Sequence, residues 1–167
     1  MIFVTVGTTN FSFPRLFSAL DYFLVSSHSN EKLIVQSPQF YNFKYPYVKV
    51  FPDLPFPKII SYYKKSRISI VHGGVTSIFL AIKNCKFQPI VVPRYQRYGE
   101  NTNNNQVDFC HYILSKILAK YLFDSPNFSN NLRQFIIHPK NTKFSKSIMC
   151  SSILINKLND YCLSIKE

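Results

Sequence analysis

His72-Gly73-Gly74-Val75-Thr76-Ser77 sets two glycines directly before two hydroxyl side chains, at the end of the apolar run Ile68–Val71. Glycines let a backbone turn sharply and come close to a ligand. If a helix opens at Thr76, its first N–H groups and the positive end of its dipole suit a phosphate, and the Thr76 and Ser77 hydroxyls can add hydrogen bonds. The stretch is neither a Walker loop, which needs Gly-Lys-Ser/Thr, nor Gly-x-Gly-x-x-Gly. An ordinary strand-to-helix connection with a Ser/Thr cap has the same pattern. Gly7-Thr8-Thr9 repeats the strand-to-glycine form after Ile2–Val6. A third stretch, Arg94 through Gln106, is polar and rich in amides, and Glu100 is the only acid between Leu54 and Val107. Amide side chains offer donors and acceptors together, which suits a hydroxyl-rich ligand. A flexible asparagine-rich connection has the same composition.

The elements that must position these stretches follow from periodicity and punctuation. Ile2–Val6, Leu33–Gln36, Val48–Phe51, Ile68–Val71 and Pro89–Val92 are short apolar, β-branched runs closed by glycine, proline or polar residues, and they predict strands. Between them the spacing predicts helices over about Pro14–Ser26, Lys58–Lys65, Thr76–Asn84 and Asn105–Lys120. In the first, Leu16, Phe17, Leu20, Phe23 and Leu24 recur on one face, and Pro14 suits the first turn. Tyr121–Phe123 is a last strand candidate, and Ser145–Leu163 an amphipathic final helix. Alternating strands and helices imply an α/β class: a Rossmann-like parallel sheet with helices on both faces, built as one domain over 1–167. In such sheets ligands bind beyond the carboxyl ends of the strands. All three chemistry-bearing stretches then open on the same edge.

Composition narrows the class. The 167 residues are 46% hydrophobic and 17% charged, enough to build a core. The first residues lack the basic leader of a signal peptide, and no apolar run approaches the ~20 residues of a spanning helix. These features lead to the expectation of a cytoplasmic protein. The cysteines Cys85, Cys110, Cys150 and Cys162 form no CxxC and no close His pairing, so reduced thiols are expected, with neither a disulfide framework nor a metal site. The formal net charge is +12, and eight basic residues with no acid fall between Leu54 and Gly99. A phosphorylated ligand, an anionic membrane face or nucleic acid would each answer to this charge, as would a solvated basic surface. No nucleic-acid motif is present, and the aromatics sit in apolar patterns rather than interleaved with the basic residues. No nucleic-acid partner is therefore expected.

Taken together and in order, three stretches resemble a known family. They are Ile2–Thr9 with Phe13-Pro14-Arg15-Leu16, then Val71-His72-Gly73-Gly74, then Pro89–Arg94 continuing through Tyr98-Gly99-Glu100 to Asn104-Asn105-Gln106-Val107-Asp108-Phe109. The resemblance is to the small capsular and exopolysaccharide glycosyltransferase subunits related to the C-terminal, donor-binding domain of glycosyltransferase family 28. It covers roughly the first two-thirds of the chain. It implies one half of a GT-B fold and an inverting transfer from a UDP-sugar co-substrate, with no further cofactor and no metal. The implied partner is a membrane-anchored, acceptor-binding subunit that presents a lipid-linked saccharide in polysaccharide biosynthesis. The implied location is peripheral to the inner membrane face.

Matched position by position, Gly73, Gly74, Thr76 and Ser77 would hold the diphosphate, with His72 ending the strand beside them. Glu100, Asn105 and Gln106 would lie near the sugar. Gly7 and Thr8 would line the cleft facing the partner, and Arg94 would neutralise phosphate charge. The family's loop usually reads Gly-Glu-His and then Asn-His-Gln. Here Asn101 and Asn105 stand at the two histidine positions, and asparagine can serve neither as acid nor as base. Some relatives bind ribose with a glutamate on the helix after the glycine loop, and Ile78-Phe79-Leu80-Ala81 has no acid. The resemblance therefore admits two outcomes: a catalytic donor subunit whose general base lies in the partner, or a non-catalytic helper subunit of such a transferase.

Overall fold

The computed structural model describes residues 1–113 and 119–139 of the 167-residue chain. Their elements are β1 (Ile2–Thr5), α1 (Pro14–Ser26), β2 (Leu33–Gln36), β3 (Val48–Phe51), α2 (Phe56–Lys65), β4 (Ile68–His72), α3 (Val75–Asn84), β5 (Ile90–Val92), α4 (Asn105–Ile113), β6 (Lys120–Tyr121) and α5 (Phe128–Ile137). The six strands form one sheet in the order β3-β2-β1-β4-β5-β6, and every pairing is parallel. Strand order reverses between β1 and β4. That is the switch point at which two adjacent connections leave in opposite directions and open a crevice.

Alternation within the strands divides the core. Ile2, Val4 and Val6 point to one face, where Leu16, Leu20 and Phe23 of α1 meet Leu132 and Ile136 of α5. Phe3, Val71 and Val91 point to the other face, against Tyr63 of α2, Ile78 and Ala81 of α3, and Phe109 and Ile113 of α4. Side chains alternate across a strand, so a four-residue run supplies both cores. Each large apolar side chain fully buried here contributes roughly 1.5–3 kcal/mol. The expected α/β class and parallel sheet are present.

Several boundaries differ from the sequence expectations, each for a local reason. β1 ends at Thr5, although the Val6 N–H still reaches the Gln36 carbonyl at 3.1 Å. α2 starts at Phe56, because Pro57 fits the first turn, where its missing N–H costs nothing. α3 starts at Val75, with Gly74 as its N-cap. β5 starts at Ile90, while the Pro89 carbonyl accepts from Lys120 N–H and so helps set β6 at Lys120–Tyr121 rather than Tyr121–Phe123. Within the loop after β5, Gln96–Tyr98 forms a short 3-10 helix. α5 was not anticipated, although Phe128, Leu132 and Ile136 recur every four residues and are its buried face. The remainder of the helix expected from Asn105, at 114–118, and the helix expected at about 145–163 lie outside the described residues. Cys85 and Cys110 are free, and burial pushes both thiols up to about 12.

Candidate functional site

The carboxyl ends of β1 and β4 flank a cavity of about 230 Å3 at the switch point. Thr5, Gly7 and Thr8 line it from the β1 side, and His72 and Ser77 from the β4 side. Gln36 and Asp53 reach it from the ends of β2 and β3. The structure therefore gathers Gly7, Thr8, His72 and Ser77 around one space, as the common sheet edge required.

The glycines keep this space open. Gly7 has φ +80°, a left-handed conformation that side chains other than glycine adopt at a cost. A Cβ there would also lie 2.8 Å from His72 Cε1. The same imidazole stands against Gly74, so the ring fits between two residues without side chains. α3 has Gly74 as N-cap and no side-chain cap, and Thr76 and Ser77 fall in its first turn. No capping hydroxyl competes for those first N–H groups, which leaves a helix start suited to an anion. On the other side of this loop, a Cβ on Gly73 would lie 2.9 Å from Gln106 Cβ and 3.1 Å from Pro93 Cα. Gln106 is thereby set beside the glycine turn. Its Oε1 accepts from the Arg94 backbone N–H at 3.3 Å. Asn105 opens α4 and is exposed, its N–H donating to Asn103 Oδ1 at 3.1 Å.

Arg94 and Glu100, expected near phosphate and sugar, do not line this cavity. Both are completely buried. Arg94 Nη1 donates to the carbonyls of Phe11 (2.9 Å), Ser12 (3.2 Å) and Glu100 (2.9 Å), and Nη2 donates to the carbonyl of Val6 (3.0 Å). Its guanidinium also lies 4.6 Å from the Phe13 ring centre. Burial pulls its pKa down to about 10, with the nearby Glu100 charge opposing, so it stays charged at neutral pH. The Glu100 carboxylate accepts from Arg15 Nε (3.1 Å) and Nη2 (2.9 Å), and from the Tyr95 N–H (3.0 Å). The physical reason is charge matching. A buried carboxylate needs a paired cation, and the Arg15 fork supplies one bidentately.

Arg15, which sequence reasoning gave no role, is the hub beneath the site. Its guanidinium lies 4.5 Å from the Phe128 ring centre and 5.2 Å from that of Tyr95, and Nη2 also donates to the Pro93 carbonyl at 2.9 Å. Asp124 completes the set, accepting from Tyr98 Oη at 2.6 Å and from Arg97 at 2.5 Å. The hydrogen bond from Tyr98, followed by burial working the other way, holds its carboxyl below the usual range. The amide-rich stretch is therefore tied down at its start by Arg15, Arg94 and Asp124. One signal for this was available in the sequence: an acid standing alone among basic residues needs a partner.

His72 is partly buried at the end of β4, and burial first, then the Arg94 charge, push its pKa down to about 4. The imidazole is neutral at pH 7. The unfolded chain binds a proton near pH 6.5 that the folded chain refuses until about pH 4, so stability is fully present above 6.5 and is lost as pH falls through 4. Denaturant unfolding should lose up to about 3 kcal/mol more over that window in the native protein than in His72→Gln. Equal pH slopes in the two proteins would show that this imidazole is not held neutral.

Among the described residues no three His, Cys, Asp or Glu side chains come together in a way that could hold a metal ion, and no helix is long and apolar enough to cross a membrane. The sequence profile of the glycosyltransferase family 28 C-terminal domain matches residues 1–152. Among solved structures, the chain is similar to one described as "Crystal Structure Analysis of the Glycotransferase of kitacinnamycin", with a TM-score of 0.58 and 12% identity. The match covers 96% of this chain but 38% of the other, and at that identity the likeness concerns the fold. No curated protein matches the chain. The profile spans the switch-point cavity, the glycine turn and the Gln106 helix alike, and on that ground the chain belongs to the glycosyltransferase family 28 C-terminal domain family.

Proposed function

We propose that the chain binds a UDP-sugar along the carboxyl edge of its sheet and acts as the donor half of an inverting glycosyltransferase. The observation that carries this is the start of α3, which has no side-chain cap after Gly73-Gly74 and whose Ser77 lines the cavity at the switch point. A diphosphate at that helix start would have its growing negative charge stabilised as the sugar departs, by oriented N–H groups that need no reorganisation. No bound metal is invoked for that step. Gln106, beside Gly73, would contact the sugar.

The acceptor and its general base belong, in this proposal, to a membrane-anchored partner that presents a lipid-linked saccharide for polysaccharide or capsule synthesis. The sheet edge supports such a partner. Phe11, Phe40, Phe56, Val75 and Tyr98 are between 36% and 82% exposed, and they follow the carboxyl ends of β1, β2, β3, β4 and β5 respectively. Apolar side chains rimming a polar cleft mark an interaction surface. Lys58, Lys64 and Lys65 are exposed on α2 and would favour an anionic inner leaflet on the cytoplasmic side.

A second outcome, a helper subunit that holds donor or partner without turnover, is favoured by the burial of Glu100 and by Asn101 and Asn105. Transfer from radiolabelled UDP-sugars, measured with the partner subunit in membranes, separates the two. Labelled lipid product that appears only with both subunits, and falls about 10-fold or more in Gln106→Ala, is the expected result. Intact partner binding without product from any UDP-sugar supports the helper instead.

A further inference from the structure

Among the described residues, Asp53 is the only charged side chain that lines the switch-point cavity. Among the described residues its carboxylate has no hydrogen-bond or ion-pair partner, whereas nearby Gln36 is committed. Gln36 Oε1 accepts from Thr5 Oγ1 at 2.5 Å, and its Nε2 donates to the carbonyls of Gly7 (3.1 Å) and Pro52 (3.3 Å). Gln36 thus ties the residue before Asp53 to the loop after β1. Leu54, on the other side, is buried. Asp53 is therefore held in place by its neighbours while its own oxygens remain available.

We infer that Asp53 recognises the vicinal hydroxyls of the nucleotide's ribose. This rests on the donor-binding reading above and assigns one end of that ligand. The strand order fixes the direction. The Gln106 stretch follows β5, on one side of β4, and Asp53 follows β3, on the other side beyond β1 and β2. With the diphosphate at the α3 start and the sugar toward Gln106, the nucleoside must run into the cavity on the Asp53 side. At about 230 Å3 the cavity is smaller than the ~300–1,000 Å3 of pockets that take a whole ligand. It accommodates one part of a nucleotide-sugar.

Ile59, Tyr63 and Leu80 also line the cavity, and these apolar surfaces suit the flat base. The ribose then lies between base and diphosphate, at the mouth, where Asp53 is exposed. A carboxylate would repel the diphosphate itself. The hydroxyl donors of the ribose are what its two acceptor oxygens can use.

The experiment is calorimetric binding of UDP and 2′-deoxy-UDP to the full chain and to Asp53→Asn and Asp53→Ala, with folding checked by circular dichroism. The unaltered chain should prefer UDP by about 10- to 100-fold. Both substitutions should bring that ratio within about 3-fold, chiefly by weakening UDP. A preference that survives both substitutions overturns the assignment, as does no preference in the unaltered chain, and either result leaves nucleotide binding standing. If the unaltered chain binds neither nucleotide, the donor-binding reading itself fails, and this assignment with it.

Discussion

Arg94→Ala should destabilise the protein by about 3–5 kcal/mol and lower its Tm by roughly 10 °C or more. The guanidinium holds four backbone carbonyls, from Val6, Phe11, Ser12 and Glu100, and its bonds to Val6 and Glu100 are buried. Each buried carbonyl left without a donor costs about 1–3 kcal/mol, and water entering the cavity recovers part of that. Those carbonyls belong to the loops after β1 and β5, so the loss loosens both sides of the site at once. Arg94→Lys should rescue little, because a point-like ammonium cannot replace a planar fork that donates to separate acceptors. Thermal and denaturant unfolding measure both. A cost below about 1 kcal/mol for alanine, or full rescue by lysine, would show that the fork does not staple these loops.

Gly73→Ala should cost about 1–3 kcal/mol and weaken UDP binding at least 10-fold. The added Cβ would meet Gln106 Cβ at 2.9 Å and Pro93 Cα and Cβ at 3.1 Å. Pro93 is buried and adjoins the stapled Arg94, so it cannot yield without moving the loop after β5. The glycine turn would shift instead, carrying the start of α3 with it. Gly99→Ala is the control. Gly99 has φ +65°, and a Cβ there meets nothing within 4 Å. That substitution carries backbone strain of about 1–2 kcal/mol and should leave UDP affinity unchanged. Unfolding curves with UDP titrations of both variants test the contrast. Equal losses of affinity would mean that Gly73 matters only through folding.

The sheet was legible in the sequence because its inner strands are buried on both faces and appear as continuous apolar runs, such as Leu33–Gln36 and Ile68–Val71. The site edge was legible for the same reason: once the sheet is parallel, glycines that end β1 and β4 must meet. What escaped was long-range pairing. Arg94 and Glu100 look like exposed, ligand-facing charges in sequence, yet the first binds carbonyls 82 to 88 residues away and the second binds Arg15 at a separation of 85. No local pattern carries that information. Asp53 escaped for another reason. It sits among prolines that signal only a chain break, and its place at the cavity depends on β3 being the edge strand beside β2. α5 escaped although its four-residue apolar spacing was present, since only packing against α1 shows which face is buried.

On the proposed reading, the cavity at the β1–β4 switch point and the α3 start together bind a nucleoside diphosphate. Isothermal titration of UDP into the purified full chain, with and without magnesium, measures this binding. Saturable one-site binding that persists without magnesium and weakens in Gly73→Ala is the predicted result. No heat of binding at millimolar UDP, from a chain shown by circular dichroism to be folded, would contradict it.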